Sequence, residues 1–185
     1  MSKQLLNWKE LYILALAWRG PIHGYEVKRI MAIPPLVSWM QITHSEIYHA
    51  LDRLERRGLI VRCTPQRRNA TPFVISDLGL RTLTEHAQHW LGSGDLSYLA
   101  EFNVSLKLVE LLSPQQICLA LEKRKQELKA QLAWIEEVLR SDPPYPIEHI
   151  CFGLDGERAF RWGVVSQIKL TEQLLAQFGC KNSNN

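Results

Sequence analysis

Apolar positions recur at three- and four-residue spacing along most of this chain, and the breaks in that rhythm mark its elements. Trp8, Leu11, Tyr12, Ala15 and Leu16 make a first helical stripe, which ends before Gly20-Pro21. His23-Gly24-Tyr25-Glu26 opens a second helix with Val27, Ile30 and Met31 on one side and Lys28 and Arg29 on the other. Pro34-Pro35 stops it. A third helix begins at Thr43, whose hydroxyl suits a first-turn N–H, and Glu46 three residues on completes a capping box. Ile47, Ala50, Leu51 and Leu54 form its apolar stripe, His44, Ser45, Tyr48, His49, Asp52 and Arg53 take the other faces, and Gly58 closes it.

Beyond Gly58 the period changes. Leu59 to Thr64 and Phe73 to Ser76 read as strands, and Gln66-Arg67-Arg68-Asn69 between them is too polar to be buried, which predicts a β-hairpin with a basic tip. Ser76 caps a fourth helix carrying Leu80, Leu83, Ala87, Trp90 and Leu91, and Leu91-Gly92-Ser93-Gly94-Asp95 reads as a flexible break. Ser113-Pro114-Gln115-Gln116 starts a long helix in which Cys118, Leu121, Leu128, Leu132, Ile135 and Leu139 keep 3,4 spacing, interrupted by Lys125. Asp142-Pro143-Pro144 ends that rod after about 40 Å. Phe160, Val164, Ile168, Thr171, Leu175 and Phe178 mark a last helix after Asp155-Gly156. Two arrangements satisfy these seams: an intrachain pair, or pairing of two chains through Leu121, Leu128, Leu132, Ile135, Leu139, Phe160, Val164, Ile168 and Leu175.

The order of elements predicts a mainly α protein. Residues 1–92 would be a winged helix-turn-helix domain of three helices, a two-stranded hairpin wing and a fourth helix. Residues 96–180 would be a helical dimerisation domain and 181–185 a disordered tail. Charge agrees with that division: residues 1–92 hold 12 Lys and Arg against 7 Asp and Glu, residues 93–185 hold 10 against 12, and five of the six histidines lie in the first part. Arg53, Arg56, Arg57, Arg62, Arg67 and Arg68 cluster in one short segment, the pattern of a phosphate-binding surface. No run reaches the roughly 18 apolar residues of a membrane span and the N-terminus lacks a signal peptide, so a cytoplasmic, nucleoid-associated protein is expected. Cys63, Cys118, Cys151 and Cys180 form no Cys-x-x-Cys pair and are expected as reduced, packed thiols. Without a nucleophile elbow, phosphate-cradling glycine loop or metal-ligand cluster, neither an enzyme nor a cofactor or metal site is expected.

Gly20-Pro21-Ile22-His23-Gly24-Tyr25-Glu26-Val27, followed by Ser45-Glu46-Ile47-Tyr48-His49-Ala50-Leu51-Asp52-Arg53-Leu54-Glu55-Arg56-Arg57-Gly58-Leu59-Ile60, resembles the PadR family of bacterial transcriptional regulators. The resemblance covers nearly all of residues 9 to 92; the helical second half is similar to the larger PadR subfamily in length and character. It departs at the DNA-reading surfaces: Ser45-Glu46 stands where the family usually has Gly-Thr, His49 where it has Pro, and Ala70 in place of a second wing Arg.

The resemblance implies a sequence-specific transcriptional repressor that binds a pseudo-palindromic operator as a homodimer. Candidate contacts to double-stranded DNA are Thr43, His44, Ser45, Tyr48, His49, Arg53, Gln66, Arg67, Arg68 and Asn69. It also implies a small aromatic effector, for which Trp90 and Trp8 are the candidate contacts; packing explains the same two residues. The competing function is a winged-helix protein-interaction module that does not bind DNA, a reading that acidic Glu46 near the recognition surface and the missing second wing Arg both favour.

Overall fold

The structure is a computed structural model, and it describes residues 5–31, 42–63, 72–140 and 153–180. Its described elements are helices α1 (Trp8–Arg19), α2 (Gly24–Met31) and α3 (His44–Arg56), strands β1 (Ile60–Arg62) and β2 (Phe73–Ile75), and helices α4 (Asp77–Leu91), α5 (Leu99–Leu106), α6 (Pro114–Arg140) and α7 (Gly153–Gln177). They form two compact units: 1–90 with 100–112, and 91–99 with 113–185. The expected boundary at 92 thus differs from the observed division. Residues 100–112 return to the first unit, where Phe102, Val104 and Leu108 are buried, and this short helix has no counterpart among the elements the pattern predicts.

In the first unit the local signals act as expected. Thr43 and Glu46 make the reciprocal capping box of α3, Asn7 and Glu10 make another on α1, and Gly58 at φ +68 ends α3 in the left-handed region. Ser76 Oγ accepts from Gly79 N–H at 2.9 Å and donates to the Gly58 carbonyl at 2.6 Å, so one hydroxyl starts α4 and ties it to the end of α3. Gly79 is needed there, because a Cβ would stand 2.0 Å from the Leu59 carbonyl oxygen. β1 and β2 pair antiparallel with Ile60 opposite Ile75 and Arg62 opposite Phe73.

A third strand segment completes this sheet: Ile22 and Phe73 exchange both backbone hydrogen bonds at 2.9 Å, joining the turn before α2 to the hairpin. α1 is buried more widely than a single stripe, since Leu11, Tyr12, Ile13, Leu14 and Ala17 are all covered. A helix apolar over most of its circumference belongs at the centre of a core. Leu80, assigned to the apolar side of α4, is instead 37% exposed.

The second unit is built on α6 packed against α7. Leu121, Leu128, Ile135, Val164, Ile168 and Leu175 are buried, and Leu132 packs against the cluster that Leu128, Ile135, Val164 and Ile168 form. These seam residues are thus covered largely within one chain, the first of the two arrangements the pattern allowed. Phe160 is exposed, and the Leu139 side chain lies outside the described residues.

The break in the seam also moves. Lys125 pairs with Glu122 at 2.8 Å, while its neighbour Arg124 is fully buried. The Arg124 guanidinium donates to the Ser93 carbonyl and, at 2.9 Å, to Gln167 Oε1; burial pulls its pKa down to about 10.

The Gly-Ser-Gly segment read as a flexible break is docked on α6. Gly94 N–H donates to Glu127 Oε2 at 2.7 Å, and its carbonyl accepts from Gln131 Nε2 at 3.0 Å. The glycines serve close approach rather than freedom: a Cβ on Gly94 would meet Glu127 Cβ at 2.6 Å, and one on Gly92 would meet the Ala120 carbonyl oxygen at 3.2 Å. Cys118 and Cys180 are joined by a disulfide, Cα to Cα 5.5 Å, against the expectation of reduced thiols. Sixty-two positions separate them in sequence, and only the antiparallel return of α7 brings them together. Cys63 is a free, half-exposed thiol, and Cys151 lies outside the described residues.

Candidate nucleic-acid interface

α3 presents His44, Ser45, Tyr48 and His49 to solvent while Ile47, Ala50, Leu51 and Leu54 anchor its other side. Its length and period put those four side chains on the first two turns of one exposed face. Thr43 is exposed, but its hydroxyl serves the cap: it accepts from Glu46 N–H at 3.3 Å and lies 2.9 Å from the Glu46 carboxylate.

Tyr48 is 46% exposed, and its ring is seated on α2: a Cβ at Gly24 would be 3.0 Å from Tyr48 Cζ. Gly24 thus leaves room for the phenol to lie on the first turn of α2, and the His44 ring is tilted against it with centroids 4.7 Å apart. His23 and Tyr25 stack on each other with ring centroids 5.3 Å apart, and His23 N–H donates to Glu26 Oε2, the expected helix-start pair. The perch under Tyr48 escaped the sequence reading, although the His-Gly-Tyr run was its signal.

Electrostatics on this face differ from the simple arginine cluster read from the sequence. Arg53 Nε donates to buried Glu10 at 2.6 Å, tying α3 to α1 rather than reaching outward. Arg56 pairs with Asp52. Arg62 makes a bidentate pair with Glu55 at 2.7 and 3.0 Å and lies 5.0 Å over the Phe73 ring, bracing the hairpin root against the end of α3. That pairing lowers the Glu55 pKa and raises that of Arg62.

Glu46 is neutralised as well. It accepts from Lys9 Nζ, from Thr43 N–H and from the Thr43 hydroxyl, and these contacts, Lys9 first, hold its pKa down to about 2. Lys9 was not singled out in the sequence, because nothing local links it to a residue 37 positions away. Gln66, Arg67, Arg68 and Asn69 lie outside the described residues.

Trp90 is 4% exposed within the core of the first unit, with His89 edge-on at 4.6 Å. Trp8 packs half-buried against the same core and donates its backbone N–H to Glu101 at 2.9 Å. A surface cavity of about 530 Å³ lies elsewhere in this unit, lined by Leu16, Pro21, Ile22 and Ile30 with Arg19 and Arg29.

Helix order, the bridged hairpin and an outward third helix define a winged helix-turn-helix module. Among solved structures the chain is similar to Bacillus subtilis PadR in complex with operator DNA, at 20% identity over 91% of this chain and 98% of that one, TM-score 0.40. It is similar also to the same organism's PadR in complex with p-coumaric acid, at 18% identity over 94% and 99%, TM-score 0.39. The PadR-like transcriptional regulator BC1756 from Bacillus cereus gives 16% identity over 94% and 99%, TM-score 0.39. No family model and no curated protein matches the chain.

Proposed function

We propose that this chain is a PadR-type transcriptional regulator, acting as a repressor, that inserts α3 into the major groove of duplex DNA and lays its basic hairpin tip along the backbone. The observation that carries this reading is the exposed His44, Ser45, Tyr48 and His49 face on a helix whose first-turn acid is already paired with Lys9. Pairing of Glu46 with Lys9 also weakens one of the two features that favoured a protein-interaction module, the other being Ala70 in place of a second wing Arg. His44, Ser45 and His49 are suited to base edges, and Tyr48 on its Gly24 seat to a phosphate or a thymine methyl. Arg67 and Arg68 supply phosphate contacts, with Gln66 and Asn69 beside them.

The active form is a homodimer on a pseudo-palindromic operator, with half-sites one helical turn apart. Its pairing surface is not the α6–α7 seam but the apolar side chains that the seam leaves outside, chiefly Trp134 at 66% and Trp162 at 72% exposure. Large exposed aromatics of this kind are what protein interfaces draw on. A small aromatic effector would relieve repression; Trp90 is buried as a packing residue, so the ligand would have to open that core to touch it.

A mobility-shift assay with genomic fragments at low and moderate salt tests the central claim. Sequence-dependent retardation that weakens steeply with salt supports it, whereas no retained fragment at low salt would overturn it.

A further inference from the structure

We propose that Cys118 and Cys180 form a reversible redox latch on the α6–α7 pair, open as two thiols under reducing conditions and closed as a disulfide by peroxide.

Three observations carry this. The two sulfurs are bonded in the structure, and both cysteines are half-exposed, so oxidant and reductant can reach them. Their positions are built for meeting. Cys118 lies in the second turn of α6, and Gly179, at φ +66, turns the chain after α7 so that Cys180 folds back, its N–H donating to the Leu175 carbonyl at 2.9 Å. The bond is also dispensable for holding the helices together: Leu121, Thr171 and Leu175 are buried toward the same end, and Leu128, Ile135, Val164 and Ile168 pack the middle. A pair already held by apolar contact can lose its cross-link without coming apart, which separates a latch from a structural staple.

The inference rests on the DNA-binding reading for its compartment. A DNA-binding protein works among glutathione and thioredoxin, where disulfides are rare and those that form are transient or sensing. One thiolate attacks peroxide; an S–O bond forms, the O–O bond breaks and hydroxide leaves as water after protonation. The second thiolate then attacks the sulfenic sulfur; the S–S bond forms, the S–O bond breaks and a second water departs. Two thiols are oxidised and one peroxide is reduced to two waters. Reduced glutathione reverses the change by thiolate attack on one sulfur through a mixed disulfide.

The full-length protein should be equilibrated in glutathione buffer at a cytosolic ratio, its four thiols counted by alkylation mass shift, and the count repeated after peroxide. The expected result is four thiols before and two after, a single-chain band on a non-reducing gel, and full recovery on return to reduced glutathione. C118S and C180S should each abolish the loss of the pair, and C63A should not. Closure should raise the melting temperature of the wild-type protein by about 10 °C, given the long loop it closes.

Two thiols that stay blocked in glutathione, or a peroxide-treated protein that keeps all four, would each overturn the proposal. If the mobility-shift assay retains no fragment, the DNA-binding reading fails on its own. The thiol count then still reports whether the cross-link is reversible.

Discussion

Replacing Gly94 by alanine discriminates between a flexible connection and a docked one, because the two predict opposite signs. Gly94 is not among the glycines with positive φ, so its backbone tolerates a Cβ and only the surroundings decide. Those surroundings are tight: the new methyl would stand 2.6 Å from Glu127 Cβ and 3.1 Å from the Leu128 backbone nitrogen. Neither atom is the loose end of a side chain, so the segment would have to lift from α6. Overpacking of this kind costs about 1–3 kcal/mol. Strain on the Gly94 bonds to Glu127 and Gln131 would remove up to about 1 kcal/mol each. The expected loss is about 1–5 kcal/mol. A mobile linker would instead gain about 0.4–1 kcal/mol, through the unfolded chain alone. Urea unfolding followed by far-UV circular dichroism measures the difference. Gly163→Ala within α7 is the matched control: a methyl there would have nothing within 4 Å, and it should stabilise by about 0.5–1 kcal/mol. A Gly94→Ala protein as stable as the parent would refute the docked segment.

Further outcomes follow from the interface. The Glu46 pKa is depressed from 4.5 to about 2, so its stabilising contribution is full above pH 4.5 and disappears as pH falls from there toward 2; Glu46→Gln should flatten the melting temperature over that window, and parallel curves would count against the Lys9 pairing. Arg67→Ala with Arg68→Ala should weaken DNA binding and reduce the log–log salt slope by about 2, one per lost phosphate contact; an unchanged slope would remove the tip from the interface. Trp134→Ser with Trp162→Ser should yield a monomer by sedimentation at micromolar concentration while Leu128 and Val164 keep each chain folded; a persistent dimer would move the pairing surface elsewhere. Gly24→Ala should displace the Tyr48 ring and lower DNA affinity several-fold with little change in stability, since the clashing atoms are the far end of a side chain.

What could be read from residues alone was what neighbours in sequence decide. The Thr43–Glu46 box, the Gly58 stop, the Ser76 cap and the Ser113-Pro114 start each rest on contacts within a few positions, and each stands where the pattern put it. Misreadings came from pairings across long separations. Gly92 and Gly94 looked like freedom because composition cannot distinguish a glycine that flexes from one pressed against a helix. The arginine cluster looked like bare charge partly because Glu10 reaches Arg53 from α1; the Asp52–Arg56 and Glu55–Arg62 pairs are local, and both acids stood in the same stretch of sequence. The 3,4 seam was legible as a seam, but not whose partner it meets, because α7 offers the same kind of apolar face as a second chain would. Cys118 and Cys180 meet only through the return of α7.

The doubled backbone bond between Ile22 and Phe73 has a mechanical corollary. Two residues past Ile22 stands Gly24, the seat of Tyr48, and across the sheet from Phe73 stands Arg62, clasped to Glu55 near the end of α3. A load on the hairpin therefore arrives at the third helix from both extremities, through its first turns by way of the tyrosine and through its last by way of the arginine. A tilt of the paired strands β1 and β2 is thereby coupled to a roll of the helix they are tied to.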